Sequence, residues 1–222
     1  MKNKSKIMKR VFITAIAVLF GIAGFTQEMA VTANRTTFGL RGGVNFQTFN
    51  GKDASDNDLD NGITTGIHLG VNAEIPVGTG SYFQPGILYT MKGAEVKDSD
   101  IKTKLSYIEI PLNFVYKPVL GTGNMVLGFG PYVAFGIDGK VDADGNDTDI
   151  DFVSDYEANN SSPQLKRFDA GGNLLAGYEF ANKVSFQLNA QLGLVNINPE
   201  ISSSDKTKLR NTGFGVSLGY RF

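Results

Sequence analysis

The last nine residues, Phe214-Gly215-Val216-Ser217-Leu218-Gly219-Tyr220-Arg221-Phe222, alternate large apolar side chains with small or polar ones. A period of two describes a strand with one oily face and one polar face. The pattern recurs from about residue 37 onward, so the chain must fold as a series of such strands. With 27 Gly, 16 Phe, 8 Tyr and no Trp, the composition also reads as all-β.

The chemistry is narrowed just as early. A length of 222 residues suits one domain, and a net charge of -1 gives no reason to expect nucleic acid. With no Cys there is no disulfide, thiol nucleophile or thiolate metal site. The single His, His68, removes most remaining acid-base and metal chemistry. No catalytic residue and no cofactor are expected.

Residues 1–26 read as a signal peptide. Lys2, Lys4, Lys6, Lys9 and Arg10 precede an apolar run, Val11 to Phe25, shorter than the ~20 residues of a spanning helix. Gly21, Ala23 and Gly24 lead to a cleavage neighbourhood at Thr26-Gln27. A retained anchor helix is the alternative. Residues 27–36 then form a short periplasmic segment, and 37–222 the folded domain.

Eight alternating segments follow: Thr37–Gln47, Ile63–Ile75, Ser81–Met91, Leu105–Tyr116, Asn124–Ile137, Arg167–Glu179, Val184–Leu194 and Phe214–Phe222. Their lengths suit tilted strands crossing a bilayer. Short links (Pro76–Gly80, Lys117–Gly123, Phe180–Lys183) alternate with long polar ones (Thr48–Gly62, Lys92–Lys104, Asp138–Lys166, Val195–Leu209). Short periplasmic turns and long external loops are the habit of outer-membrane barrels. The expected fold is an eight-stranded antiparallel up-and-down transmembrane β-barrel.

A soluble ligand-carrying barrel shows the same alternation with the apolar face inward. Charge and size separate the two. One face of each strand is nearly free of charge, as hydrocarbon demands. The other carries glycines with Arg41, Glu74, Glu109, Asp169, Glu179 and Arg221, which suit a tight lumen where acids and bases pair. Phe83, Tyr116, Tyr178, Tyr220 and Phe222 are placed for a periplasmic aromatic girdle, and Tyr89, Phe135, Phe168 and Phe214 for an outer one.

Three stretches carry a family likeness: Gly39-Leu40-Arg41-Gly42-Gly43-Val44-Asn45, Gln84-Pro85-Gly86-Ile87-Leu88-Tyr89-Thr90-Met91-Lys92-Gly93-Ala94 and Leu105-Ser106-Tyr107-Ile108-Glu109-Ile110-Pro111-Leu112. Gly130-Pro131-Tyr132, Gly193-Leu194-Val195-Asn196-Ile197 and Gly219-Tyr220-Arg221-Phe222 continue it in order. Together they resemble the PorT-family outer-membrane β-barrel proteins of Bacteroidota, from about Thr36 to Phe222. The resemblance implies an eight-stranded barrel inserted by the outer-membrane assembly machinery, which recognises a terminal aromatic strand, here Tyr220 and Phe222. Gly86 departs from the family, which often carries an acid there, leaving one lumen charge pair short. The family's namesake serves a secretion and gliding apparatus.

Among candidate sites, the lumen carboxylates are expected to be ion-pair partners of Arg41 and Arg221, and His68 a hydrogen-bonded filler. Asp142, Asp144, Asn146 and Thr148 alternate as hard oxygen ligands for Ca²⁺ do, but Asp147 and Val153 stand where an EF-hand needs Gly and a bidentate acid. They form a weak cation candidate beside a second acidic run, Asp53, Asp56, Asp58 and Asp60. The functional expectation is an integral outer-membrane protein with a structural or interaction role, its long loops meeting lipids, lipopolysaccharide or envelope proteins. Eight strands leave no open pore. The alternatives are a narrow pore or transporter for small solutes, a component of a secretion apparatus, and a soluble barrel with a hydrophobic ligand.

Overall fold

A computed structural model of the chain describes residues 35–97, 99, 101–201 and 205–222; the expected signal peptide and residues 27–34 lie outside them. Eight long strands follow in order: β1 (Thr37–Lys52), β2 (Thr64–Gly78), β3 (Ser81–Val96), β4 (Ile101–Tyr116), β5 (Gly123–Ala143), β6 (Phe168–Glu179), β7 (Val184–Gly193) and β8 (Lys208–Arg221). Each pairs antiparallel with its successor, and β8 pairs with β1. The ladder closes into an eight-stranded up-and-down barrel, so its wall has no free edge. Tight turns at one end use residues in the left-handed region, Gly80, Gly121 and Lys183.

The alternation sorts faces as the sequence indicates. Leu69, Phe129, Leu174 and Leu218 point outward and are strongly exposed, while Asn45, Gln47, Glu109, Asn113, Asp169 and Ser217 are buried inside. A soluble ligand carrier would show the reverse. Register puts outward aromatics opposite one another: Phe46 stacks on Phe214 at 5.1 Å, and Phe135 meets Phe168 edge-on at 5.5 Å.

The long-loop end differs from the sequence expectation. Much of what reads as polar linkage is sheet: β1 continues to Lys52, β3 to Val96, β5 to Ala143, and β4 and β8 begin at Ile101 and Lys208. β5 alone has 21 residues, about 70 Å of strand at ~3.3 Å each, whereas a tilted crossing needs only ~9–11 residues. These strands therefore stand well clear of a bilayer. Two glycines permit the continuation. Gly51 (φ 151°) and Gly93 (φ 150°) lie so close to the neighbouring strand that a Cβ would fall 1.8 and 1.9 Å from a backbone oxygen.

Above the wall the interior turns apolar. Phe49, Ala94, Leu105, Ile150, Leu165 and Ile197 form a buried cluster with Tyr107, Tyr132 and Ala134. Ile150, Leu165 and Ile197 come from the long connections, which fold over the mouth through a short parallel pairing of 151–153 with 164–166. The backbone of Lys166 donates to Ile197 carbonyl, joining the two longest connections. The expected long polar loops are thus partly a packed cap.

Candidate functional site

The buried polar groups of the lumen form two ion clusters with a hydrogen-bonded layer between them. The cluster nearer the cap centres on Lys92, a residue that sequence reading places in a link. Its Nζ lies 2.9 Å from Glu109 Oε2 and 3.1 Å from Asp169 Oδ2, with all three side chains almost fully buried. The Tyr132 ring lies 4.1 Å from the ammonium and the Tyr107 ring 5.4 Å away. Asn211 and Tyr132 hydroxyl both donate to Asp169 Oδ2, and Gln191 donates to Glu109 Oε1 at 2.7 Å. Residues from β3, β4, β5, β6, β7 and β8 meet at this one point.

The second cluster fills the tight-turn end. Lys117 Nζ bridges Glu74 and Glu179, 2.7 Å from each, and Arg221 Nη2 reaches Glu74 Oε1 at 3.0 Å. Gln84 donates to Glu74, and Arg221 to Asn72 Oδ1. Lys117 is the second lysine that the sequence reading leaves in a link. Both were legible in phase: Lys92 follows the inward Thr90, and Lys117 the inward Asn113 and Val115.

The expected pairing of Arg41 needs correction. Among the described residues no carboxylate lies within ion-pair distance of it, because Lys92 and Gln191 occupy Glu109. Register places Arg41 beside Gly70 and Gly70 beside Leu88, so Gly86, one inward position along β3, offers no side chain. Arg41, Lys92, Lys117 and Arg221 against Glu74, Glu109, Asp169 and Glu179 still leave these eight lumen groups formally neutral. Arg41 balances the excess acid of the Lys92 cluster at longer range.

Between the clusters sits an arrangement that no sequence motif announces. His68 Nδ1 is 2.6 Å from Asn45 Oδ1, and its Nε2 is 2.8 Å from Ser217 Oγ. Asn45 Nδ2 donates to Thr90 Oγ1 and to the Met91 carbonyl, which fixes Asn45 Oδ1 toward the imidazole. His68 then carries its proton on Nδ1, and its Nε2 and Asn189 Oδ1, 3.2 Å from Ser217 Oγ, share the one Ser217 hydroxyl proton. The order Ser–His–Asn resembles an acyl-transfer triad with an amide in place of the acid, and no room exists for an acyl group. Ser217 is 1% exposed, and a Cβ on Gly43 would already sit 2.8 Å from His68 Cε1. The three side chains fill the lumen as hydrogen-bonded packing.

The weak cation candidate lies on a hairpin in which 146–149 pair with the end of β5. Asp142 Oδ2 accepts from Lys104 at 3.1 Å, its Oδ1 caps Gly145 N–H, and Asp147 pairs with Lys140. The Lys104 hydrogen bond, with its charge, holds the Asp142 carboxyl below its ordinary range. Asp144 occupies the turn at φ 52°, and no metal-holding acidic group forms among the described residues. Calcium titrated onto the folded protein is expected to give the same heat for wild type and for Asp142→Asn with Asp144→Asn; a wild-type-only signal would restore the site. In the other acidic run, Asp53 accepts the backbone N–H groups of Ser55 and Asn57 and closes its own turn.

At the chain end, Phe222 N–H donates to the Phe38 carbonyl, and Tyr220 packs edge-on against Phe222 at 5.3 Å. Both point to the outside of the wall. Residues 25–198 match the family described as "Outer membrane protein beta-barrel domain". The chain belongs to this family. No curated protein is similar to it. Among solved structures, Ail, the attachment invasion locus protein of Yersinia pestis, is similar at 12% identity with a TM-score of 0.39, covering 85% of this chain and 100% of Ail. For an outer-membrane barrel the tight turns mark the periplasmic end and the cap the cell exterior.

Proposed function

We propose that this outer-membrane barrel is a non-conducting scaffold that presents its packed outer cap to the cell surroundings. The observation that carries the reading is Lys92 clamped between Glu109 and Asp169 directly beneath the apolar cap cluster. An ion crossing the lumen would have to break this cluster and the one around Lys117, both without bulk water to replace the lost partners. The cap, joined across two connections, is stiff enough to serve as an interaction surface for lipopolysaccharide or an envelope protein. Residues 1–26 serve for export, and Tyr220 and Phe222 for recognition by the assembly machinery. The motif resemblance to the PorT family supports an association with a secretion apparatus as the biological setting.

Planar-bilayer recordings of the folded protein are expected to show no steady conductance steps. A narrow pore or transporter is the competing reading, and reproducible steps that Lys92→Met enlarges would establish it.

A further inference from the structure

We propose that the lipid-facing wall seats one acyl chain of a periplasmic-leaflet phospholipid in a preformed groove. A groove of about 890 Å³ crosses the outside of β4 through β8. Its floor follows a single register row, Val115 to Gly128, Leu175, Asn189 and Gly215, where outward side chains are missing by alternation. Phe114, Phe129 and Phe214 form one exposed bank, and Tyr116, Leu127 and Leu188 the other. Ala176 and Ala190 interrupt the banks with single methyl groups.

Position decides what covers it. The groove lies in the apolar belt of an outer-membrane barrel, so its neighbour is hydrocarbon. Five strands give four spacings of ~4.8 Å, a length of about 19 Å. A chain of one leaflet spans about 15 Å along the normal, and strand tilt makes the row diagonal, so the two lengths agree. The ends differ. One reaches Ser81 and Tyr116 at the periplasmic turns, where two hydroxyls sit at headgroup level. Beside it Tyr178 hydroxyl donates to the Leu120 carbonyl, and the exposed Val119 and Leu120 extend the collar. The other end closes at Phe214, stacked on Phe46. A chain therefore enters from the periplasmic side, which selects phospholipid over lipopolysaccharide.

Native mass spectrometry of the detergent-folded barrel, titrated with palmitoyl-oleoyl phosphatidylethanolamine, tests this. Wild type is expected to keep one lipid under activation that strips the rest. Ala176→Leu with Ala190→Leu, and each alone, should lose that lipid, whereas Ala73→Leu on β2 should keep it. Heat-modifiable mobility confirms folding of each variant and so separates a failed barrel from a failed groove. A wild type that retains no lipid, retention unchanged in all filled variants, tighter retention of lipid A, or a second copy in place of lipid would each overturn the assignment.

Discussion

Lys92→Met is expected to lower barrel stability by roughly 3–5 kcal/mol, the scale of removing one partner from a buried ion cluster. The substitution keeps the length of the stem but leaves Glu109 and Asp169 facing each other with no cation between them. Their remaining donors, Gln191, Asn211 and Tyr132, supply hydrogen bonds but no compensating charge. Urea titration of folding into lipid vesicles would measure the loss. Adding only Asp169→Asn to Lys92→Met removes the unmatched acid, leaves Glu109 as the counter-charge of Arg41, and should recover much of it. If the single substitution shifts the urea midpoint no more than a surface change does, the lysine is not the keystone of the lumen. The cap provides an independent readout. Lys92 stands under Tyr107 and Tyr132, which belong to the cap cluster, so protease nicking between 151 and 166 should rise as well.

The wall was legible because hydrocarbon leaves only one face free to vary. The outward apolar sets, the closed order of strands and the inward placement of Glu74, Glu109, Asp169, Glu179 and Arg221 all follow from period-two alternation. The alternation hides its own ends for two reasons. The first is a bulge: Tyr107 pairs with Gly136 and Ser106 with Asp138, so Ile137 is an extra residue. Beyond it Gly139 and Val141 face inward and Lys140 and Asp142 outward, a change of phase that reads as the end of a strand. The second is a change of code. Within the bilayer oil faces out; above it Phe49, Leu105 and Val141 face in while Glu95, Lys102, Lys104 and Asp142 meet water. The same strand obeys one rule up to Lys92 and Tyr107 and the opposite rule beyond. Lys92 sits at that boundary, which is why it resembles a loop lysine in the sequence and serves as a lumen clamp in the fold. The Ser217–His68–Asn45 contact spans three strands and leaves no local trace at all.

Leu69→Arg is expected to cost about 2–4 kcal/mol and to reduce the amount of barrel inserted. Leu69 is 63% exposed near the middle of β2 and pairs with Gly42 of β1 and Tyr89 of β3, so its side chain faces the centre of the hydrocarbon. An arginine there must either stay solvated by a local bilayer defect or reach toward a headgroup. The penalty depends on depth, which gives the test its resolution. Arginine at Val77, 59% exposed at the periplasmic turn, should cost at most ~1 kcal/mol. The inward neighbour behaves differently from either. His68→Leu makes the residue apolar and strands Asn45 Oδ1, whereas the Ser217 hydroxyl keeps Asn189 Oδ1 as its acceptor, so its loss of roughly 1–3 kcal/mol comes from an unpaired polar group rather than from lipid. Urea midpoints for the three variants in vesicles of increasing thickness separate these causes: the Leu69→Arg cost should grow with thickness, while the His68→Leu cost should not. Equal, thickness-independent costs for Leu69→Arg and His68→Leu would mean that Leu69 does not face hydrocarbon.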